Sequence, residues 1–179
     1  MSALASPTTT VNAVSSSPSL LSVNPAFLQE IKDSNPAYWN AFRRLPVVCD
    51  CHGEPLQVCR SLSRTLDDLR DAAALQFSLE ESYGYITLAE PSEHQIKGVR
   101  LGELAERAQR EHRLLYLQLT ELAEQAEELQ YRGVEQNGLR ELIQSAAMFE
   151  SQLAAHERSE NVLIEQTSLA LKLATRYPR

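Results

Sequence analysis

With 179 residues, 43% of them hydrophobic, the chain can bury one core of useful size, whereas two independent domains would each be small. Its 24 acidic and 17 basic residues leave a formal net charge of −7, which argues against a nucleic-acid backbone or an anionic membrane surface as the main partner. Only 6 Gly and 8 Pro, with Leu, Ala, Glu, Gln and Arg dominating the second half, predict an all-α protein.

No apolar run approaches the roughly 20 residues that span a bilayer, and the first 23 residues lack the basic start and continuous apolar section of a secretory signal. Three cysteines, an odd number, fit a reducing compartment better than a disulfide framework. The expectation is a cytoplasmic protein. Residues 1–23 are uncharged and rich in Ser, Thr, Ala and Pro, so they read as a disordered tail, with a phosphorylated or docking tail as the functional alternative. One helical domain is expected over 24–179.

That domain opens on two similar starts, Asn24-Pro25 and Asn35-Pro36, each a capping Asn followed by Pro at the first helical position. Leu28, Ile31, Asn35, Tyr38, Phe42 and Leu45 form one stripe across both, which predicts a first helix kinked or split at Pro36. Asn35 is then either a cap or a polar residue in the seam. The loop after it carries Cys49, Cys51 and His52, with Cys59 further on. These could complete a tetrahedral zinc shell, but their spacing is not that of paired zinc ligands, and plain reduced thiols beside a helix start are the simpler reading.

A second helix is predicted from Pro55 to about Ile86. Its stripe, Leu62, Leu66, Leu69, Ala73, Gln76, Glu80 and Tyr83, puts an amide and a carboxylate where apolar groups belong. A lone ionised carboxylate in a core must be paired, neutralised or bound to a metal. A connection through Pro91 and His94 follows. The third helix carries Leu101, Leu104, Ala108, His112, Leu115, Leu119, Leu122, Ala126 and Leu129, with Tyr116 one turn beyond His112. After a break bracketed by Gly133 and Gly138, the fourth carries Leu139, Leu142, Ala146, Phe149, Leu153, His156, Glu160 and Leu163.

Short connections make successive helices antiparallel neighbours, giving an up-down-up-down four-helix bundle. His112 and His156 each lie about 19 residues from the break, or about 28 Å at 1.5 Å per residue, which places them at one level. Glu80, His112, His156 and Glu160 then converge, with Gln76 and Tyr116 beside them. Imidazole and carboxylate facing inward suit iron, manganese or zinc, while a buried hydrogen-bonded network without metal is the alternative.

The segments IKDSNPAYWNAFRRL, LRDAAALQFSLEESYGY, REHRLLYLQL and LAAHERSENVLI together resemble the hemerythrin-like family of HHE cation-binding domains over residues 24 to about 170. The resemblance implies a four-helix bundle around a non-haem di-iron centre, with Glu80 in the place of the bridging Glu, His112 as the first His of the third helix, and His156 with Glu160 as the fourth-helix pair. Asn35, Gln76 and Tyr116 stand where the family has three further histidines, so they are substituted ligand positions. An amide or a phenol is a weaker or less usual iron ligand than imidazole.

Two functions follow as expectations. A metal-binding bundle would be an iron or oxygen sensor or store, taking dioxygen or another small ligand at the metal; a metal-free bundle would be an interaction or regulatory module with a protein partner. Catalysis has the least support. Gln109 and Leu153, not Glu, precede His112 and His156 by three residues, and there is no G-x-S-x-G, phosphate-binding glycine loop or H-E-x-x-H.

Overall fold

The computed structural model describes residues 20–88 and 101–176, which are mostly helical with one small two-stranded sheet. The expected tail at residues 1–19 and the Pro91–His94 connection lie outside the described residues.

The first helix is two helices, α1 (Pro25–Ser34) and α2 (Pro36–Cys49). At each start the Asn side chain accepts a hydrogen bond from a backbone N–H three residues on, Phe27 N at 3.3 Å and Tyr38 N at 3.2 Å. Each cap satisfies one otherwise orphaned donor, and Pro at the next position fixes a helical φ while lacking an N–H that would need a partner. Asn35 satisfies both of its sequence readings. It caps α2 while its buried amide donates to Ala72 O (3.3 Å) and Gln76 Oε1 (3.0 Å).

Helix α3 (Pro55–Leu79) ends earlier than the predicted Ile86. A π-helical turn, Glu80–Gly84, follows, and then strand β2 (Tyr85–Leu88), which pairs antiparallel with β1 (Leu20–Val23) in the register Val23 to Tyr85 and Leu20 to Leu88. The last residues of the stretch read as a tail therefore belong to the fold. The wider turn breaks the three-and-four spacing after Glu80, so Tyr83 swings into solvent while Gly84 and Tyr85 turn inward. β-Branched Ile86 and Thr87 then continue as a strand.

Helix α4 (Leu101–Arg132) is followed by Gly133 at φ 102°, a left-handed conformation that glycine adopts without a Cβ penalty just past a helix end. Helix α5 (Gln136–Arg176) completes the described chain. Helix α2 packs on α3 and α5, α3 on α4, and α4 on α5, while α1 lies on α5 and the π turn. No described helix is long and apolar enough to cross a membrane.

Three apolar clusters make up the described interior; one gathers Val58, Cys59 and Leu139, and the other two lie on either side of the residues discussed below. The larger joins α2, α3, α4 and α5 through residues such as Leu45, Leu66, Leu119 and Phe149; the smaller joins Val23, Leu28, Tyr85, Ala105, Ala108 and Leu163. Fully burying each large side chain contributes about 1.5–3 kcal/mol, so the clusters fix the helix positions on either side of what lies between them. Along α4 the order is Ala108, His112, Leu115, and along α5 it is Leu153, His156, Glu160, Leu163. A polar layer thus sits between the two clusters.

Candidate metal centre

Four residues singled out from the sequence, Glu80, His112, His156 and Glu160, are each at most 2% exposed, and the structure brings them together. The inner nitrogen of His112, Nε2, lies 3.3 Å from Glu160 Oε1 and 3.4 Å from Glu80 Oε2. His156 Nε2 lies 3.7 Å from the same Glu160 oxygen. Among the described residues, Glu80 Oε2, His156 Nε2 and Glu160 Oε2 have no hydrogen-bond partner.

The outer nitrogens are engaged differently. His112 Nδ1 lies 3.2 Å from Glu81 Oε1, and His156 Nδ1 lies 3.1 Å from Glu111 Oε2. A neutral imidazole that donates its Nδ1 proton to an outer carboxylate turns a lone pair inward at Nε2, the arrangement that orients histidine toward a metal. Here both Nε2 atoms face carboxylate oxygens, and either a proton on the nitrogen or a metal ion between the groups would join them.

Ring packing holds the imidazoles in place. Phe77 stacks on His112 with centroids 4.4 Å apart and planes 8° from parallel, Tyr85 meets His112 edge-on at 5.7 Å, and the two imidazoles lie 4.8 Å apart. An open cleft lined by Phe77, Glu81, His112 and Tyr116 approaches from one side, and another lined by Glu111, Gln152, His156 and Ser159 from the other.

Gln76 is buried and donates to Glu80 Oε1 at 2.5 Å while accepting from Asn35. These two amides form a relay behind Glu80 rather than pointing at the imidazoles. Tyr116, taken as a substituted ligand, is 37% exposed and lines the outer cleft. From His112, Leu115 lies about 60° to one side of the helix and Tyr116 about 40° to the other, and the buried face follows the Leu115 side, leaving Tyr116 at its edge.

Several residues at the site were not singled out by sequence. Lys32 of α1 is buried, pairs with Glu157, and lies 2.8 Å from Glu160 Oε2. Tyr38 donates to Glu157 Oε1 at 2.6 Å, and Tyr85 donates to Glu160 Oε1 at 2.7 Å. Lys32 and Glu157 carried a usable signal, since Leu28, Lys32, Asn35 and Leu153, Glu157, Glu160 keep helical spacing and put opposite charges on inward faces.

Burial tends to lower the Lys32 pKa, but Glu160, Glu157 and Glu80 outweigh it and hold the ammonium protonated above its ordinary range. Burial also acts to raise Glu160, yet the His112 hydrogen bond, Lys32 and His156 hold its carboxyl well below the usual carboxylate range. Glu80 moves the other way, pushed up by burial and then by Glu160, with Lys32 opposing. Three buried carboxylates therefore share the layer with one ammonium.

No family model, curated protein or solved structure matches this chain.

Among the described residues, the group of His, Cys, Asp and Glu ligand atoms close enough to hold one metal ion is His112, His156 and Glu160. Donors about 2.1 Å from a shared ion lie about 3.0–3.4 Å apart along tetrahedral or octahedral edges; His112–Glu160 at 3.3 Å falls in that range and His156–Glu160 at 3.7 Å is slightly wider. Glu80 stands outside that group, 3.4 Å from His112 Nε2. The cysteines do not form a second such group: Cys51 and His52 are exposed, and buried Cys59 directs its thiol to Ala126 O at 3.8 Å.

Proposed function

We propose that the chain is a hemerythrin-like non-haem metal protein, an up-down-up-down four-helix bundle that holds iron between Glu80, His112, His156 and Glu160 and serves as an iron or oxygen sensor or store. The observation that carries this reading is the pair of imidazoles oriented by Glu81 and Glu111, with both inner nitrogens aimed at the same carboxylate oxygen. Two imidazole nitrogens and two carboxylates suit a divalent transition metal. Iron bound there would supply a redox centre able to interact with dioxygen. The chain's part is to orient the donors, shield them between apolar clusters and leave clefts beside each histidine.

The test is metal content by mass spectrometry after anaerobic loading with ferrous iron, with an optical spectrum taken after air exposure. Wild type should retain iron and gain near-ultraviolet absorption, and His156→Ala and Glu80→Ala should lose both. Wild type that retains no metal would overturn the reading.

The Lys32 contacts with Glu157 and Glu160 favour a second reading, in which the ammonium alone balances the layer and the bundle is a metal-free interaction or regulatory module. Its mark would be a melting temperature unchanged by either chelator or iron.

A further inference from the structure

Glu160 uses its two oxygens on opposite sides. Oε1 faces both imidazole Nε2 atoms, at 3.3 and 3.7 Å, whereas Oε2 lies 2.8 Å from the Lys32 ammonium. This is how a carboxylate bridges two cations, with one of them supplied covalently by the protein. Lys32 is fixed in that position. Glu157, itself held by Tyr38, pairs with the ammonium, and Trp39 closes the outer side, its ring centroid 5.5 Å from Nζ and its indole N–H donating to Lys32 O at 2.6 Å.

The cation position is also rich in anions. Glu157, Glu160 and Glu80 all act on the ammonium, and the Asn35–Gln76 relay lies behind Glu80. Without Lys32, two or three carboxylates would face one buried space with no positive charge on that side, an arrangement that takes up either protons or a hard cation.

We propose that Lys32 is a built-in cation occupying one half of a two-cation centre, so that the bundle takes a single divalent metal ion at His112, His156, Glu80 and Glu160, with Glu160 bridging metal and ammonium. This rests on the metal-binding reading above and adds the number of ions and the reason for it. Removing the ammonium should open a second metal position at Glu157 and Glu160.

The experiment is a titration of the chelator-treated full chain with manganous ion, following bound metal per chain and its electron paramagnetic resonance spectrum. Wild type should saturate at one ion per chain with the spectrum of an isolated ion. Lys32→Ala should saturate at two, with the spectrum of a coupled pair, and Lys32→Met, which keeps volume and removes charge, should gain a weaker second site. Two ions in wild type would overturn the proposal, as would one ion in a folded Lys32→Ala chain. No ion in wild type would overturn the metal-binding reading itself, a different failure from either. Should both variants fail to fold, the wild-type count and spectrum still decide between one ion and two.

Discussion

Tyr85 Oη lies 2.7 Å from Glu160 Oε1, joining the first residue of β2 to the oxygen on α5 that faces both histidines. The phenol is pushed far above its ordinary pKa, first by burial and then by Glu160, so it remains a donor across the accessible pH range. Tyr85→Phe keeps the ring against His112 and deletes that donor. A hydrogen bond to a charged acceptor contributes about 1.5–3 kcal/mol, and Glu160 keeps Lys32 and His112, so the loss should lie near the lower end, about 1.5 kcal/mol. Chemical denaturation of the metal-free protein would read it, and an unchanged midpoint would show that Tyr85 does not support Glu160.

The outer carboxylates make a separate prediction. Glu81 and Glu111 touch the histidine Nδ1 atoms and no proposed metal position. Glu111→Ala and Glu81→Ala should leave the fold intact and weaken metal binding by about 10- to 100-fold, the usual effect of losing a partner that orients a ligand. Isothermal titration with ferrous or manganous ion would measure this. Affinity equal to wild type in both variants would mean that the imidazoles are positioned by ring packing alone.

These residues also mark what was legible in the sequence. The inward stripes of the third and fourth helices were readable because α4 and α5 are uninterrupted, so the three-and-four spacing places His112, His156 and Glu160 on buried faces. The same rule failed after Glu80, because a π turn shifts every later residue and the predicted inward Tyr83 gives way to Tyr85. Lys32 was missed for a different reason. Its helical spacing with Leu28 and Asn35 was a usable signal, but a lysine at a seam position is ordinarily solvated, and its pairing with Glu157, 125 residues away, comes from tertiary structure.

Glu80 gives a pH dependence in the chelator-treated protein. Burial and then Glu160 raise its carboxyl well above the ordinary 4.5, so the folded chain keeps a proton that the unfolded chain releases near that value. The folded state binds more protons, and this contribution to stability, fully present below about pH 4.5, fades as pH rises toward the folded-state pKa. Glu80→Gln cannot ionise and escapes the loss. Its stability relative to wild type should therefore increase from pH 5 to pH 8, by about 1.4 kcal/mol for each pH unit of that interval lying below the folded-state pKa. Thermal melts at the two pH values would show a constant difference if Glu80 were not raised.

The thiols near the α2 terminus should react in a set order. Burial, helped by Asp50, Glu150 and Cys51, pushes the Cys49 thiol up to about 11, while Cys51 is exposed. The thiolate is the nucleophile, so a raised pKa lowers the reactive fraction at neutral pH. At pH 8 iodoacetamide should label Cys51 before Cys49, and Cys49 labelling should rise about tenfold per pH unit until near its pKa. Peptide mass spectrometry would follow each site. Equal rates at pH 8 would contradict the raised pKa of half-buried Cys49.

The π turn depends on a glycine for reasons of space. Gly84 is buried against Leu28, and a Cβ built there would overlap the Leu28 side chain, with its Cγ at 2.8 Å. Leu28 is itself 0% exposed, and the adjoining backbone is anchored where Asn24 N donates to Gly84 O at 2.7 Å. Neither partner has free room to retreat. Gly84→Ala should therefore cost about 1–3 kcal/mol, the range for overpacking a filled core. Because Tyr85 is the next residue, the strain should also reach the site and weaken metal binding. The companion Gly84→Ala/Leu28→Ala chain removes the clash and leaves a cavity. Metal affinity recovered in the double variant, with stability still low, would locate the defect in the turn's displacement of Tyr85, whereas no loss of affinity in the single variant would show that β2 does not position the centre.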